Sequence, residues 1–221
     1  MPAALAEPSD RVLHVVLDEP LAARPLAALR IGDRRLSAAR PIARVARVAD
    51  VGCAAAPDGL RRVVVIGDPV DFGRRPPTVV PGATRNALFD AGRSDLLHIT
   101  VPVAADALDD ALVLRDGRVR SLEIAGHGGA AGRVVLAASQ TGPQGTAGLA
   151  MAFLAAGADQ VIATLGPVPR AALDRLTERL HGADTGDLVR ALARIQATAE
   201  GRGDDAWLRV EAFGREFCHS Q

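Results

Sequence analysis

The 221 residues carry 26 basic and 26 acidic side chains, a formal net charge of zero, and are 48% hydrophobic. That is chain enough for one large domain or two small ones, and the balanced charge leaves no electrostatic footprint for nucleic acid or an anionic membrane. Aromatics make up 3%, with no Tyr, so stacking platforms for single-stranded nucleic acid are excluded as well.

The opening residues, MPAALAEPSD, lack the basic start and apolar stretch of a signal peptide, and no apolar run is long enough to span a bilayer. A cytoplasmic protein is expected, with residues 1–10 disordered. Residues 12–17 form the first apolar, strand-like run. In ALRIGDRRLSA, Gly32-Asp33 separates two short runs, a hairpin signal. Residues 42–48, IARVARV, alternate apolar residues with Arg, as an edge strand with one wet face would.

The pattern then changes. RVVVI at 62–66 is continuous and β-branched, the mark of a strand buried on both faces of a parallel sheet. Gly67-Asp68-Pro69 ends it, and a polar, Pro-rich loop runs to Pro81. A short helix is predicted at 83–91, a strand at 96–101, and a turn at Asp116-Gly117 within ALVLRDGRV. A third buried strand covers 134–138. An apolar, small-residue helix follows at 144–156, stopped by Gly157. A strand at 160–164 precedes helices at 169–180 and 185–199, the second with Leu188, Leu192 and Ile195 on one face. A last strand is read at 207–213. The domain is set at 11–214, with 215–221 as a C-terminal tail.

Strands alternating with helices imply an α/β fold, a mostly parallel sheet covered on both faces. In such sheets functional groups collect at the carboxyl ends of strands. Ser139, Asp68 and the segment around Pro102 all fall at such ends.

The remaining chemistry-bearing residues read more plainly. Cys53 and Cys218 are far apart and form no C-x-x-C pair, so neither a disulfide nor a zinc site is expected; Cys53 reads as a small buried hydrophobe. His14 and His98 lie inside apolar strands and read as core residues. His181 stands beside Gly182 at a helix C-terminus, where an imidazolium suits the dipole, and His219 falls in the tail. No two histidines have metal-ligand spacing. GHGGAAG at 126–132 precedes a strand, whereas a phosphate loop follows one and opens a helix. The chain has no Lys at all to complete a P-loop. A helix-to-strand turn is the better reading, and no cofactor or metal is expected.

From residue 94 to 166 the order of features becomes specific. SDLLHI, a spacer, GRVVLAASQTG and GTAGLAMAFLAAGADQVIATLGPV together resemble the CHAT family of caspase-like peptidase domains. That family reads L-H-x-x-x-H-G, then L-S-A-C-x-T-G, then G-L-x-x-A-F-L-x-A-G-A-x-x-V-I-A-(T/S)-L-W-P-V. The resemblance extends outward through RVLHVVLDEPLAARPLAALR, VVVIGDPVDF, VPGATRNA, DLVRALARIQ and AWLRVEAFG, from about Arg11 to Gly214. It implies a three-layer α/β/α sandwich with a mostly parallel central sheet and an N-terminal β-hairpin region.

Laid on the family's motifs, the chain departs at the chemistry. The general-base position is Pro102, the nucleophile position is Ser139, and the family's Trp is Gly166. A hydroxyl needs a positioned base more than a thiol does, because the thiol is already partly thiolate at neutral pH. His98 lies four residues before Pro102, roughly 13 Å along a strand, and His127 belongs at the opposite edge of the sheet. Ser139 therefore reads as the position of a lost nucleophile. Asp68, Asp71, Ser139 and Gln140 would line the remaining cleft, the two carboxylates suiting a basic peptide side chain. Asp before Pro, as at Asp68, is also ordinary turn chemistry.

The resemblance implies a catalytically inactive, pseudo-peptidase binding or regulatory module in a bacterial conflict or signalling setting. Its expected partner is a protein: an intact CHAT peptidase or a repeat-containing sensor, since these 221 residues leave no room for sensor repeats. An active hydrolase using Ser139, and a homo-oligomeric structural subunit pairing through 42–48 or the C-terminal strand, are the alternatives.

Overall fold

The computed structural model of the protein describes residues 8–17, 24–47, 50–55, 60–70, 78–80, 82–105, 110–138, 145–182, 186–200 and 205–218. In the N-terminal part β1 (Leu13–Val15) is followed by a hairpin of β2 (Arg30–Ile31) and β3 (Arg34–Arg35) around Gly32, then α1 (Leu36–Ala39), β4 (Ile42–Arg44) and β5 (Cys53–Ala55). The strand β6 (Val63–Ile66) leads to β7 (Thr78–Val80) and α2 (Arg85–Asp90). Thr84 caps α2, its hydroxyl accepting from the Ala87 amide at 3.3 Å. After β8 (Leu96–Ile99) a small antiparallel sheet forms from β9 (Val103–Ala105), β10 (Asp110–Leu114) and β11 (Gly117–Arg120). The chain continues through α3 (Ser121–His127), β12 (Arg133–Leu136), α4 (Ala147–Ala155), β13 (Gln160–Thr164), α5 (Arg170–Gly182), α6 (Leu188–Glu200), β14 (Val210–Gly214) and β15 (Glu216–Cys218).

Among the described residues the main sheet has the order β1-β4-β14-β13-β12-β8-β6-β7. The four continuous apolar strands of the sequence, β6, β8, β12 and β13, lie side by side and parallel. Alternation divides their side chains between two cores. Val64, Ile66, Leu97, Ile99, Val134 and Leu136 face α2, α3 and α4. Val63, Leu96, Val135 and Ile162 face α5 and α6, meeting Leu173, Leu176, Leu188 and Leu192. The result is the three-layer α/β/α sandwich, with helices on both faces of a mostly parallel sheet.

Four expectations are corrected. The 42–48 segment is not an edge: β4 lies between β1 and β14, and Arg44 is buried in an ion pair with Glu211 of β14. Glu211 also accepts from the amides of Leu26 and Ala27, so the alternating Arg that reads as a wet face serves an internal contact. The Pro-rich loop contains β7, parallel to β6. Strand 207–213 begins as a 3-10 turn, Ala206–Arg209, and its strand β14 runs antiparallel to β13.

The fourth correction concerns the cysteines and the tail. Cys53 is exposed and is joined to Cys218 by a disulfide, with Cα atoms 5.1 Å apart. Residues 216–218, read as tail, form β15, which pairs in parallel with β5. Sequence distance concealed this proximity. β4 and β14 are parallel neighbours, with Phe213 opposite Arg44, so the segments leaving them emerge on the same side and meet. At the other end of the chain, Ser9 within the segment expected to be disordered donates its amide to the Ala39 carbonyl at 2.9 Å. No described helix is long and apolar enough to cross a membrane.

Candidate functional site

The carboxyl ends of β6, β8, β12 and β13 meet at one end of the sheet. At β6, Gly67 adopts φ +113, and a Cβ there would sit 2.5 Å from the Thr100 hydroxyl. That hydroxyl donates to the Asp68 carbonyl at 3.1 Å, tying the turn after β6 to the turn after β8. Asp68 then points its carboxylate to Arg170, the first residue of α5, at 3.1 Å; Arg170 also binds Asp174 at 2.8 Å. These two carboxylates, Asp174 first, raise the Arg170 pKa. Asp68, expected to await a basic ligand, is thus already matched by a guanidinium supplied 102 residues later. Both side chains are well exposed, so the pair is displaceable at about 1 kcal/mol or less.

Pro102 is exposed and stands immediately before β9. Its carbonyl accepts from the Val113 amide at 2.9 Å, fixing it to β10, and its ring offers no proton acceptor. His98, on the same strand segment, is fully buried and faces the α5 layer, level with Val135 of β12. Its Nδ1 is hydrogen-bonded to Nε2 of His181 at 3.1 Å. Burial holds the His98 pKa well below the usual imidazole value, reinforced by His181 and Arg170; burial also lowers His181, to about 3. The imidazolium expected at the end of α5 is therefore a neutral ring at neutral pH. His127 ends α3, stacked on Phe89 at 3.9 Å between ring centroids, on the side where β12 begins. Gly128 and Gly129, both at positive φ, carry the chain from α3 into β12, so GHGGAAG is a helix-to-strand turn.

Ser139, Gln140 and Asp71 lie outside the described residues. The residues on either side of 139–144 are tied to neighbouring strands. Ala137 donates its amide to Ile99 at 2.8 Å and Ala138 is buried. Gly145 stands at φ +72, where a Cβ would come within 2.0 Å of the Thr164 carbonyl. Next to it, the Thr146 amide donates to that carbonyl at 2.7 Å, and the Thr164 amide donates to the Thr146 hydroxyl at 2.9 Å. Residues 139–144 thus lie between Ala138, just after β12, and Gly145-Thr146, which are held against the end of β13. Arg170, Thr100, Thr146 and Thr164 were not anticipated; no local pattern marks them, since each acts on a partner distant in the chain.

A separate groove of about 430 Å³ runs along α6, lined by Arg190, Ala193, Arg194 and Ala197 on one helical face, opposite residues 8–10 and 37–41. Among the described residues no group of three or more His, Cys, Asp or Glu is placed to hold a metal ion.

The family model of the CHAT domain matches residues 51–205, more than half of the chain. The chain belongs to the CHAT-domain family. The match spans β5 to the end of α6, and with it the whole strand-end constellation; β1, β4 and β14, outside the match, extend the same sheet on one side. Membership makes it a caspase-like, peptidase-related domain. No curated protein matches the chain.

Proposed function

We propose that this CHAT domain is a catalytically inactive pseudo-peptidase that acts as a binding or regulatory module. The observation that carries the reading is Pro102: at the position where the family places its general base stands a ring with no titratable group, its carbonyl committed to β10. A positioned base contributes about 10²–10⁴-fold to catalysis. The nearest described imidazole on that strand, His98, is turned into the opposite core against His181. In this reading Ser139 is left as a hydroxyl without a base, and the strand-end cleft is retained for recognition. The partner is a protein, either an intact CHAT peptidase or a repeat-containing sensor, in a bacterial defence or signalling system.

The test is covalent labelling. Wild-type protein is incubated with a fluorophosphonate probe and examined by intact mass, beside Ser139→Ala. No adduct is expected in either, and Ser139→Ala should keep both its fold and its partner-dependent activity. An adduct that maps to Ser139 and vanishes in the variant returns the protein to the hydrolases. The double change Pro102→His with Ser139→Cys is expected to gain reactivity toward iodoacetamide at position 139.

A further inference from the structure

The disulfide joins two strands that are held very unequally. β15 is docked by its own side chains. Phe217 is buried at 3% exposure beneath the Arg133 guanidinium, which lies 5.8 Å from the ring centroid. Glu216 pairs with Arg190 at 3.0 Å, and the Arg215 carbonyl just before the strand accepts from Gln160 at 2.9 Å. Arg215 itself pairs with Asp159 at 3.0 Å. These ties fasten the strand to the starts of β12, β13 and α6.

β5 has nothing comparable. Cys53 and Ala55 are exposed and Ala54 is half-buried, so its three side chains add almost no apolar burial. Val51 just before it is 48% exposed. Among the described residues its ladder partner is β15 alone, in a two-stranded sheet separate from the main one. A two-stranded pair of three residues, whose only buried side chain, Phe217, belongs to β15, is marginal in water. Among the described residues the covalent bond is therefore the strongest tie on β5, and it stands at the surface where a reductant can approach, since both cysteines are exposed.

We propose that Cys53–Cys218 is a reversible thiol–disulfide latch, opened by a dithiol reductant, that releases β5 while β15 stays docked. One thiolate of the reductant attacks a Cys sulfur, the S–S bond breaks, and the other Cys leaves as a thiolate that takes up a proton. The second thiol of the reductant resolves the mixed disulfide and frees the remaining Cys. The protein disulfide gains two electrons and two protons, and the dithiol becomes a disulfide. The inference is independent of whether position 139 is catalytic.

Oxidised protein in non-denaturing buffer is treated with dithiothreitol. Thiols are counted by maleimide mass-tagging, and amide hydrogen exchange is followed across the chain. Opening is expected without denaturant, yielding two thiols. Exchange at 53–55 should accelerate by about tenfold or more, as for a short strand pair that has lost its covalent tie. Amides of β8, β12 and β13 should be unchanged, and oxidised glutathione should restore the starting state. The double variant Cys53→Ser with Cys218→Ser should show the open pattern without reductant. Two free thiols in the air-oxidised protein would overturn the latch. So would a bond that yields only in denaturant, unchanged exchange at 53–55 after reduction, or loss of the core fold in the reduced protein or the double variant.

Discussion

Acidification from pH 7 to 5 should destabilise this protein through the His98–His181 pair. In the unfolded chain each imidazole titrates near 6.5. In the folded protein burial lowers His181 to about 3, and His98 lies well below its usual value through burial, then through His181 and Arg170. The unfolded chain therefore binds more protons across this range. Stability is complete above the unfolded value and is lost as the pH falls from there toward the folded one. For one imidazole at pH 5 the loss is 1.36 kcal/mol for each of 1.5 pH units, about 2 kcal/mol, and at most about 4 kcal/mol for both. Against a total of about 5–15 kcal/mol that is a large share. Burial supplies the main reason, since neither ring can take up a charge without solvation; the ring nitrogens also stand 3.1 Å apart, and a proton on the accepting nitrogen removes their hydrogen bond. The assay is urea unfolding by circular dichroism at pH 7, 6 and 5, for oxidised wild type and His181→Gln. The carboxylates are common to both proteins and cancel in the difference. The variant should lose about 2 kcal/mol less than wild type between pH 7 and 5; equal losses would refute proton linkage at residue 181.

Glu211→Ala leaves the Arg44 guanidinium buried without its carboxylate and should cost about 3–5 kcal/mol in urea unfolding; a cost below about 1 kcal/mol would contradict the buried pair. Arg170→Gln frees Asp68 and should tighten binding of an arginine-bearing peptide by up to about fivefold in fluorescence polarisation, the equivalent of a surface pair of about 1 kcal/mol, and unchanged affinity would show that Asp68 does not contact the peptide. Gly145→Ala drives a Cβ to 2.0 Å from a backbone carbonyl at positive φ, so the variant should lose at least about 3 kcal/mol or fail to fold; wild-type stability would mean that the turn after position 144 is not held as described.

Elements whose burial is written locally were legible. VVVI, RVVL and QVIAT are apolar on both faces, and β6, β12 and β13 formed where such runs stand. The Gly32 hairpin and the Asp116-Gly117 turn followed from turn chemistry. Elements that depend on distant partners were not legible. Arg44 reads as solvent-facing because its carboxylate lies 167 residues away. Thr78–Val80 is β-branched, but three residues between prolines are too short a run to read as a strand, and pairing with β6 extends it. The disulfide depends on β4 and β14 being neighbours, which no spacing reveals. At the site, the family motifs located Pro102 and Asp68 at strand ends. Arg170, 102 residues from Asp68, escaped notice because its role arises only when α5 packs on the sheet.

The seam between β13 and β14, where the sheet reverses direction, also sets the order in which the chain can fold during synthesis. Strands from 63 to 164 form a contiguous parallel block with its own helices, and that block can condense as it leaves the ribosome. β1 and β4 cannot join it, because they reach the sheet only through β14. Arg44 is made 167 residues before Glu211. At about 5–20 residues per second, roughly 8–30 s separate the two. Once β13 is made, 211 − 164 = 47 residues remain before Glu211, roughly 2–9 s at that rate, during which the β1–β4 pair has no β14 to join and β13 presents an exposed sheet edge. That edge is the point at which a nascent chain is open to a chaperone, or to a β14 strand supplied by another molecule.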